Sequence, residues 1–149
     1  MDSVERVITR STEETESLGE RLSDRLNEGD RVALIGDLGG GKTRFVRGIA
    51  KGLGSRGFIK SPSFTIMNMY QGGRLPLYHI DLYRIGGDDE FFFSGLEEFI
   101  YGKGVSVIEW AERHPALVRD CMYVITFKYL GEHEREIIIE ERGVTERKG

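Results

Sequence analysis

Arg31-Val32-Ala33-Leu34-Ile35-Gly36-Asp37-Leu38-Gly39-Gly40-Gly41-Lys42-Thr43-Arg44 is the stretch on which the fold turns. Its first five residues are a short apolar run rich enough in β-branched side chains for a buried strand. The next eight match GxxxxGK[ST], and beyond them the apolar period becomes helical, with Phe45, Val46, Ile49, Ala50 and Leu53 on one side and Gly54 as the stop. Strand, glycine-rich loop and helix in this order make a P-loop. Its glycines let backbone N–H groups converge on a phosphate, and the helix N-terminus adds a positive dipole end. A chance match in a chain with 20 glycines would lack the flanking strand and helix. The pattern gives Asp37, Leu38, Gly39, Gly40 and Gly41 to the phosphate cradle, with Arg44 just beyond it. Lys42 is expected to reach the β- and γ-phosphates as a point charge, and the Thr43 hydroxyl to ligate Mg2+.

Such a loop needs a carboxylate at the end of a neighbouring strand, to hold Mg2+ or to polarise the attacking water. Glu109 fits, because it ends the apolar run Val105-Ser106-Val107-Ile108; the alternative is a solvated strand end. Asp81 interrupts an apolar alternation in His79-Ile80-Asp81-Leu82-Tyr83-Arg84, and is either a solvated strand residue or a second metal- or water-positioning group. Ser63 and Thr65 follow Pro62 and open a strand, which suits a switch-like loop sensing the γ-phosphate, or ordinary loop polarity. Trp110 and Phe91-Phe92-Phe93 read as core. His79, His114 and His133 have no mutual metal spacing and read as surface or hydrogen-bonded residues. No NKxD element of the guanine-specific kind is present, which favours adenine.

Around this centre, Val4 to Thr9 can form a strand, and Ser11 with Glu14 makes a capping box for a helix carrying Leu18, Leu22 and Leu26, stopped at Asn27-Glu28-Gly29. Residues 55–62 read as a loop. Phe64 to Tyr70 and Leu77 to Tyr83 read as a hairpin that brings Ser63 and Thr65 near Asp81. One or two short helices are expected between Asp88 and Tyr101, around Gly95. Met122 to Tyr129 and Arg135 to Glu140 read as a final hairpin, and residues from Arg142 are expected to fray. The expected fold is an α/β, P-loop NTPase-like three-layer α/β/α sandwich, its sheet mixed and mainly parallel with antiparallel hairpins. At 149 residues it is expected to be one domain.

Charged residues are 31% of the chain and the formal charge is -4, so neither sign is strong enough to name a nucleic-acid or membrane partner. A single cysteine, Cys121, excludes an internal disulfide and reads as a small core residue. The early charges and the lack of a long apolar run lead to the expectation of a cytoplasmic protein without a membrane span.

Five blocks carry a resemblance: GDLGGGKT from Gly36, Ser61-Pro62-Ser63-Phe64-Thr65, His79 to Arg84, Gly95-Leu96-Glu97-Glu98, and Val107-Ile108-Glu109-Trp110-Ala111-Glu112-Arg113. In letters, order and spacing the chain from about Ser11 to Glu140 closely resembles the TsaE (YjeE) family. The resemblance implies a P-loop ATPase that works with TsaB and TsaD in making N6-threonylcarbamoyladenosine at position 37 of tRNA, with ATP and Mg2+ as cofactors and tRNA met only through the complex. It implies that Lys42 and Thr43 serve phosphate and Mg2+, that Glu109 is the Walker B-like carboxylate, and that Asp81 is an acid required near the metal. Ser63 stands where the family has threonine, and Gly40 where it has alanine. A weak ATPase activated by its partners is the leading expectation. The alternative is a nucleotide-sensing module in which hydrolysis is incidental. Arg44, Arg84 and Arg113 are the candidates for a transition-state arginine.

Overall fold

The computed structural model describes residues 3–36, 41–60, 67–83 and 95–142. Eight strands form one sheet: β1 (Ser3–Thr9), β2 (Arg31–Gly36), β3 (Gly57–Lys60), β4 (Met67–Gln71), β5 (Leu77–Asp81), β6 (Val105–Glu109), β7 (Tyr123–Tyr129) and β8 (Arg135–Glu141). Their order is β1-β8-β7-β2-β6-β5-β4-β3. The four central strands β7, β2, β6 and β5 run parallel, and both flanks are antiparallel. The mixed α/β sandwich is therefore as read from the sequence, although the antiparallel share is larger than a mainly parallel sheet would have.

Among the described residues two helices cover one face, α1 (Thr12–Ser23) and α2 (Lys42–Gly52). Short pieces cover the other: α3 (Glu97–Ile100), a 3-10 turn at Ala111–Arg113, and α4 (Pro115–Arg119). Side chains alternate between these layers. Val32, Leu34, Val105 and Val107 join Phe45 and Ile49 on the α1/α2 face, while Ala33, Ile80 and Ile108 join Leu96 and Leu117 on the other. Buried on both faces, the central strands are the continuous apolar runs expected of parallel strands.

Glycine sets how closely α1 and α2 approach. A Cβ at Gly48 would lie 1.9 Å from the Glu16 carbonyl oxygen, and one at Gly19 would lie 2.2 Å from the Phe45 carbonyl oxygen. The start of α1 is thereby held beside the start of α2. Its cap is the expected one, since the Ser11 hydroxyl accepts from the Glu14 amide at 3.0 Å, but the Glu14 carboxylate reaches the Arg10 amide, one residue earlier than in a capping box.

Three local expectations change. Helix α1 ends at Ser23, not at Asn27; tight turns bonded Arg25 to Leu22 and Leu26 to Ser23 carry Leu26 into full burial without helix. The segment read as a loop contains β3, an edge strand with a single ladder to β4, too short to show alternation. The 3-10 turn and α4 follow β6 unannounced, α4 starting on Pro115. Cys121 is fully buried in the second core, as expected, with its thiol on the Leu117 carbonyl. Asp37 to Gly40, Ser63, Thr65, Arg84 and the three phenylalanines lie outside the described residues, as does the tail from 143 onward.

Candidate functional site

At the end of β2 the chain reaches Gly36, whose φ of 142° and close approach to Phe127 leave no room for a Cβ. It returns at Gly41, at φ 95°, the N-cap of α2. Gly41 brings no side chain to cap the helix, so the first amides of α2 suit an anion. Lys42, at the first position of α2, is nevertheless buried. Its Nζ donates to the Gly36 carbonyl at 2.7 Å, lies 3.9 Å from Glu109 Oε1, and sits 4.8 Å from the centre of the Trp110 ring. Thr43, next in the chain, is exposed to the cleft.

The acid side is built by register. Strand β5 pairs parallel with β6 so that Asp81 lies opposite Glu109, while Leu34 of β2 lies opposite Glu109 on its other side. Leu77, His79 and Asp81 share a face with Val105, Val107 and Glu109, the face that looks toward α2. Toward the C-terminal ends of both strands the apolar series thus turns polar beneath the P-loop helix. Glu109 is buried, with Oε2 at 2.5 Å from His79 Nε2. Asp81 Oδ1 accepts from the Tyr83 amide at 2.9 Å, which orients it at the strand end.

Trp110 is half-buried and packs against the second core, as its sequence context suggests, but it also meets Lys42. It is the one non-glycine residue at positive φ among those described, at 62°, a conformation costing a bulky residue about 1–3 kcal/mol. The turn lays its ring over the Lys42 ammonium. The Tyr83 ring packs on Trp110 at a 50° tilt, centroids 4.9 Å apart, and Arg113 lies against Tyr83 at 5.2 Å while donating to the Tyr83 carbonyl at 2.6 Å. Arg113 therefore clamps the strand ends together. Arg44, the second transition-state candidate, pairs with Glu16 at 2.7 Å; that hydrogen bond holds the Glu16 carboxyl below its ordinary pKa.

Gly41, Lys42, Thr43, Arg44, Arg47 and Glu109 line a cleft of about 440 Å³ whose far rim is Thr12 and Arg135. A narrower recess of about 60 Å³ adjoins it, between the start of α1 (Ser11, Thr12, Thr15) and the β7–β8 turn (Glu132, His133, Arg135). Of the residues singled out in the sequence, Gly41, Lys42, Thr43, Arg44 and Glu109 meet in the cleft, and Asp81 stands beside Glu109 in the sheet. Thr12, Arg47 and Arg135 were not expected in the cleft, nor were His79 against Glu109 and Trp110 against Lys42 beside it. For His79 a signal existed: it occupies the same strand face as Asp81. Among the described residues no three His, Cys, Asp or Glu side chains cluster as a metal site. A cation here would rely on Thr43, a carboxylate, phosphate oxygens and water, the usual Mg2+ arrangement. Among the described residues no helix is long and apolar enough to cross a membrane.

Known proteins share this sequence and fold. The sequence profile of the family described as "Threonylcarbamoyl adenosine biosynthesis protein TsaE" matches residues 9–137. The tRNA threonylcarbamoyladenosine biosynthesis protein TsaE of Treponema pallidum (strain Nichols) is 42% identical over 134 residues, 90% of this chain and 98% of that one. The protein of the same name from Bacillus subtilis (strain 168) is 41% identical over 129 residues, 87% of this chain and 80% of that one. Among solved structures, the crystal structure of Bacillus subtilis YdiB superposes with a TM-score of 0.73 at 36% identity, covering 96% of this chain and 88% of the other. With sequence and fold in agreement over nearly its whole length, the chain belongs to the TsaE family of tRNA threonylcarbamoyladenosine biosynthesis proteins.

Proposed function

We propose that the protein binds Mg-ATP in the cleft between α2 and the β5–β6 strand ends and hydrolyses it in the service of tRNA threonylcarbamoylation with TsaB and TsaD, in the cytoplasm. The observation that carries this reading is the convergence of three parts on one cleft: the open N-terminus of α2, the buried Lys42 ammonium, and the Glu109 carboxylate 3.9 Å from it. Each part answers one need of phosphoryl transfer, namely amides and a cation for the phosphates and an acid for metal or water.

Lys42 is retained near the phosphate position by Gly36, Glu109 and the Trp110 face, all of which it can exchange for phosphate oxygens. Thr43 and Glu109 would hold Mg2+, with Asp81 beside them; the ion supplies charge neutralisation on the β- and γ-oxygens. Arg113 and Arg44 are engaged elsewhere. A partner that completes the site is the simplest source of faster turnover.

Reconstitution tests the proposal. ATP turnover and tRNA threonylcarbamoylation are measured with and without the TsaB–TsaD pair, for the native protein and for Lys42→Ala. Partner-stimulated turnover that disappears in Lys42→Ala is the expected result. Turnover indifferent to both the partners and the substitution would defeat it. Glu109→Ala that supports repeated rounds of modification would leave the protein a nucleotide sensor.

A further inference from the structure

We infer that His79 is a positioning residue for Glu109, holding one oxygen of its carboxylate so that the other faces the nucleotide cleft. This rests on the proposed Mg-ATP chemistry of the cleft. The geometry is specific. His79 Nε2 lies 2.5 Å from Glu109 Oε2, while Oε1 points the other way, 3.9 Å from Lys42 Nζ. An ionised carboxylate can only accept, so the imidazole N–H donates, and a bond at this distance fixes the terminal torsion of Glu109. Both side chains are about nine-tenths buried, which strengthens the bond and limits rearrangement.

The need for a tether follows from the neighbourhood. Glu109 stands one strand spacing from the P-loop strand, and among the described residues Lys42 is the Lys or Arg within 4 Å of it. Untethered, a flexible glutamate would swing onto that ammonium and form a direct ion pair. The carboxylate would then be lost to metal or water, and the lysine to phosphate. The His79 bond draws Oε2 back along the sheet, toward β5. It leaves Lys42 on the Gly36 carbonyl at 2.7 Å and its distance to Glu109 beyond hydrogen-bonding reach. The strand register makes the tether possible: His79 lies opposite Val107, so it reaches diagonally to the residue two further along the same face of β6. A space-filling role alone would be met by an apolar residue, as at Leu77 and Val107 on that same face. An imidazole there makes sense for the donor it carries.

Two substitutions separate donor from filler. His79→Leu keeps the bulk and removes the N–H; His79→Gln supplies an amide N–H. Two readouts are needed: ATP turnover with the partner pair, and the Mg2+ dependence of ADP binding followed by fluorescence of Trp110, the single tryptophan of the chain. His79→Leu should lower kcat about 10- to 100-fold with KM for ATP within about threefold, and raise the Mg2+ half-saturation of ADP binding about tenfold. His79→Gln should recover most of both losses. A His79→Leu protein matching the native one in both readouts would overturn the inference, as would His79→Gln as impaired as His79→Leu. If the native protein turns over no ATP yet the Mg2+ shift appears in His79→Leu, the hydrolysis reading fails and the tether stands.

Discussion

The two banks of the cleft are made in different ways. On the P-loop bank the groups are the first amides of α2 with the side chains of Lys42, Thr43, Arg44 and Arg47, presented by a helix packed through glycines against α1. On the acid bank they are side chains, Asp81, Glu109 and His79, aligned only because β5 and β6 pair in one register. A bank presented by a close-packed helix depends on where side chains are absent; a bank set by register depends on which strand lies next to which. Substitutions should therefore damage the first through shape and the second through chemistry.

The largest expected effect is at Lys42, the buried side chain of the P-loop bank. Lys42→Ala should reduce partner-stimulated phosphate release by about 10³-fold, about 4 kcal/mol of transition-state stabilisation. A variant keeping a tenth of native turnover would show that the amides of α2 suffice. Next is the helix contact. Gly48→Ala forces a methyl against the Glu16 carbonyl oxygen, 1.9 Å away, and should cost about 3 kcal/mol, lowering Tm by about 6–12 °C by calorimetry. An unchanged Tm would mean that the helices separate freely and that the first bank is not fixed by shape.

These banks were not equally legible in the sequence. The glycine pattern from Gly36 to Gly41 is a local signal, since positive φ at those two positions asks for glycine in whatever surroundings. The acid bank was half legible. Glu109 closes an apolar run and so announced itself, but His79 acquires a role only when β5 lands beside β6, a relation no single segment encodes. Trp110 was legible by half as well: its packing against the second core follows from its place after a buried strand, but its contact with Lys42 comes from a turn in the left-handed region. The sandwich itself was readable from alternating apolar runs. Strand β3 and the end of α1 were not, because pairing to β4 and the burial of Leu26 are tertiary effects.

Smaller effects sharpen the contrast away from the cleft. Burial pushes the Cys121 thiol up to about 12 from 9.0. Between those values the unfolded chain has lost a proton that the folded chain keeps, so this group's contribution to stability is intact below pH 9 and is lost as pH rises toward 12. The slope is about 1.4 kcal/mol per pH unit. Urea midpoints should fall more steeply from pH 9 to 10 in the native protein than in Cys121→Ala; parallel curves would contradict the burial. Ser11→Ala, removing the hydroxyl that caps α1, should cost about 1 kcal/mol in the same assay. A loss under about 0.3 kcal/mol would show the α1 start held by the glycine contact alone.

The central claim, that the cleft beside Lys42 and Glu109 takes Mg-ATP, is tested most directly by thermal melting. With Mg-ATP at a hundred times Kd, binding to the folded state adds about 2.7 kcal/mol, which should raise Tm of the native protein by about 5–11 °C and leave Lys42→Ala nearly unmoved. No rise in the native protein, or an equal rise in Lys42→Ala, would contradict it.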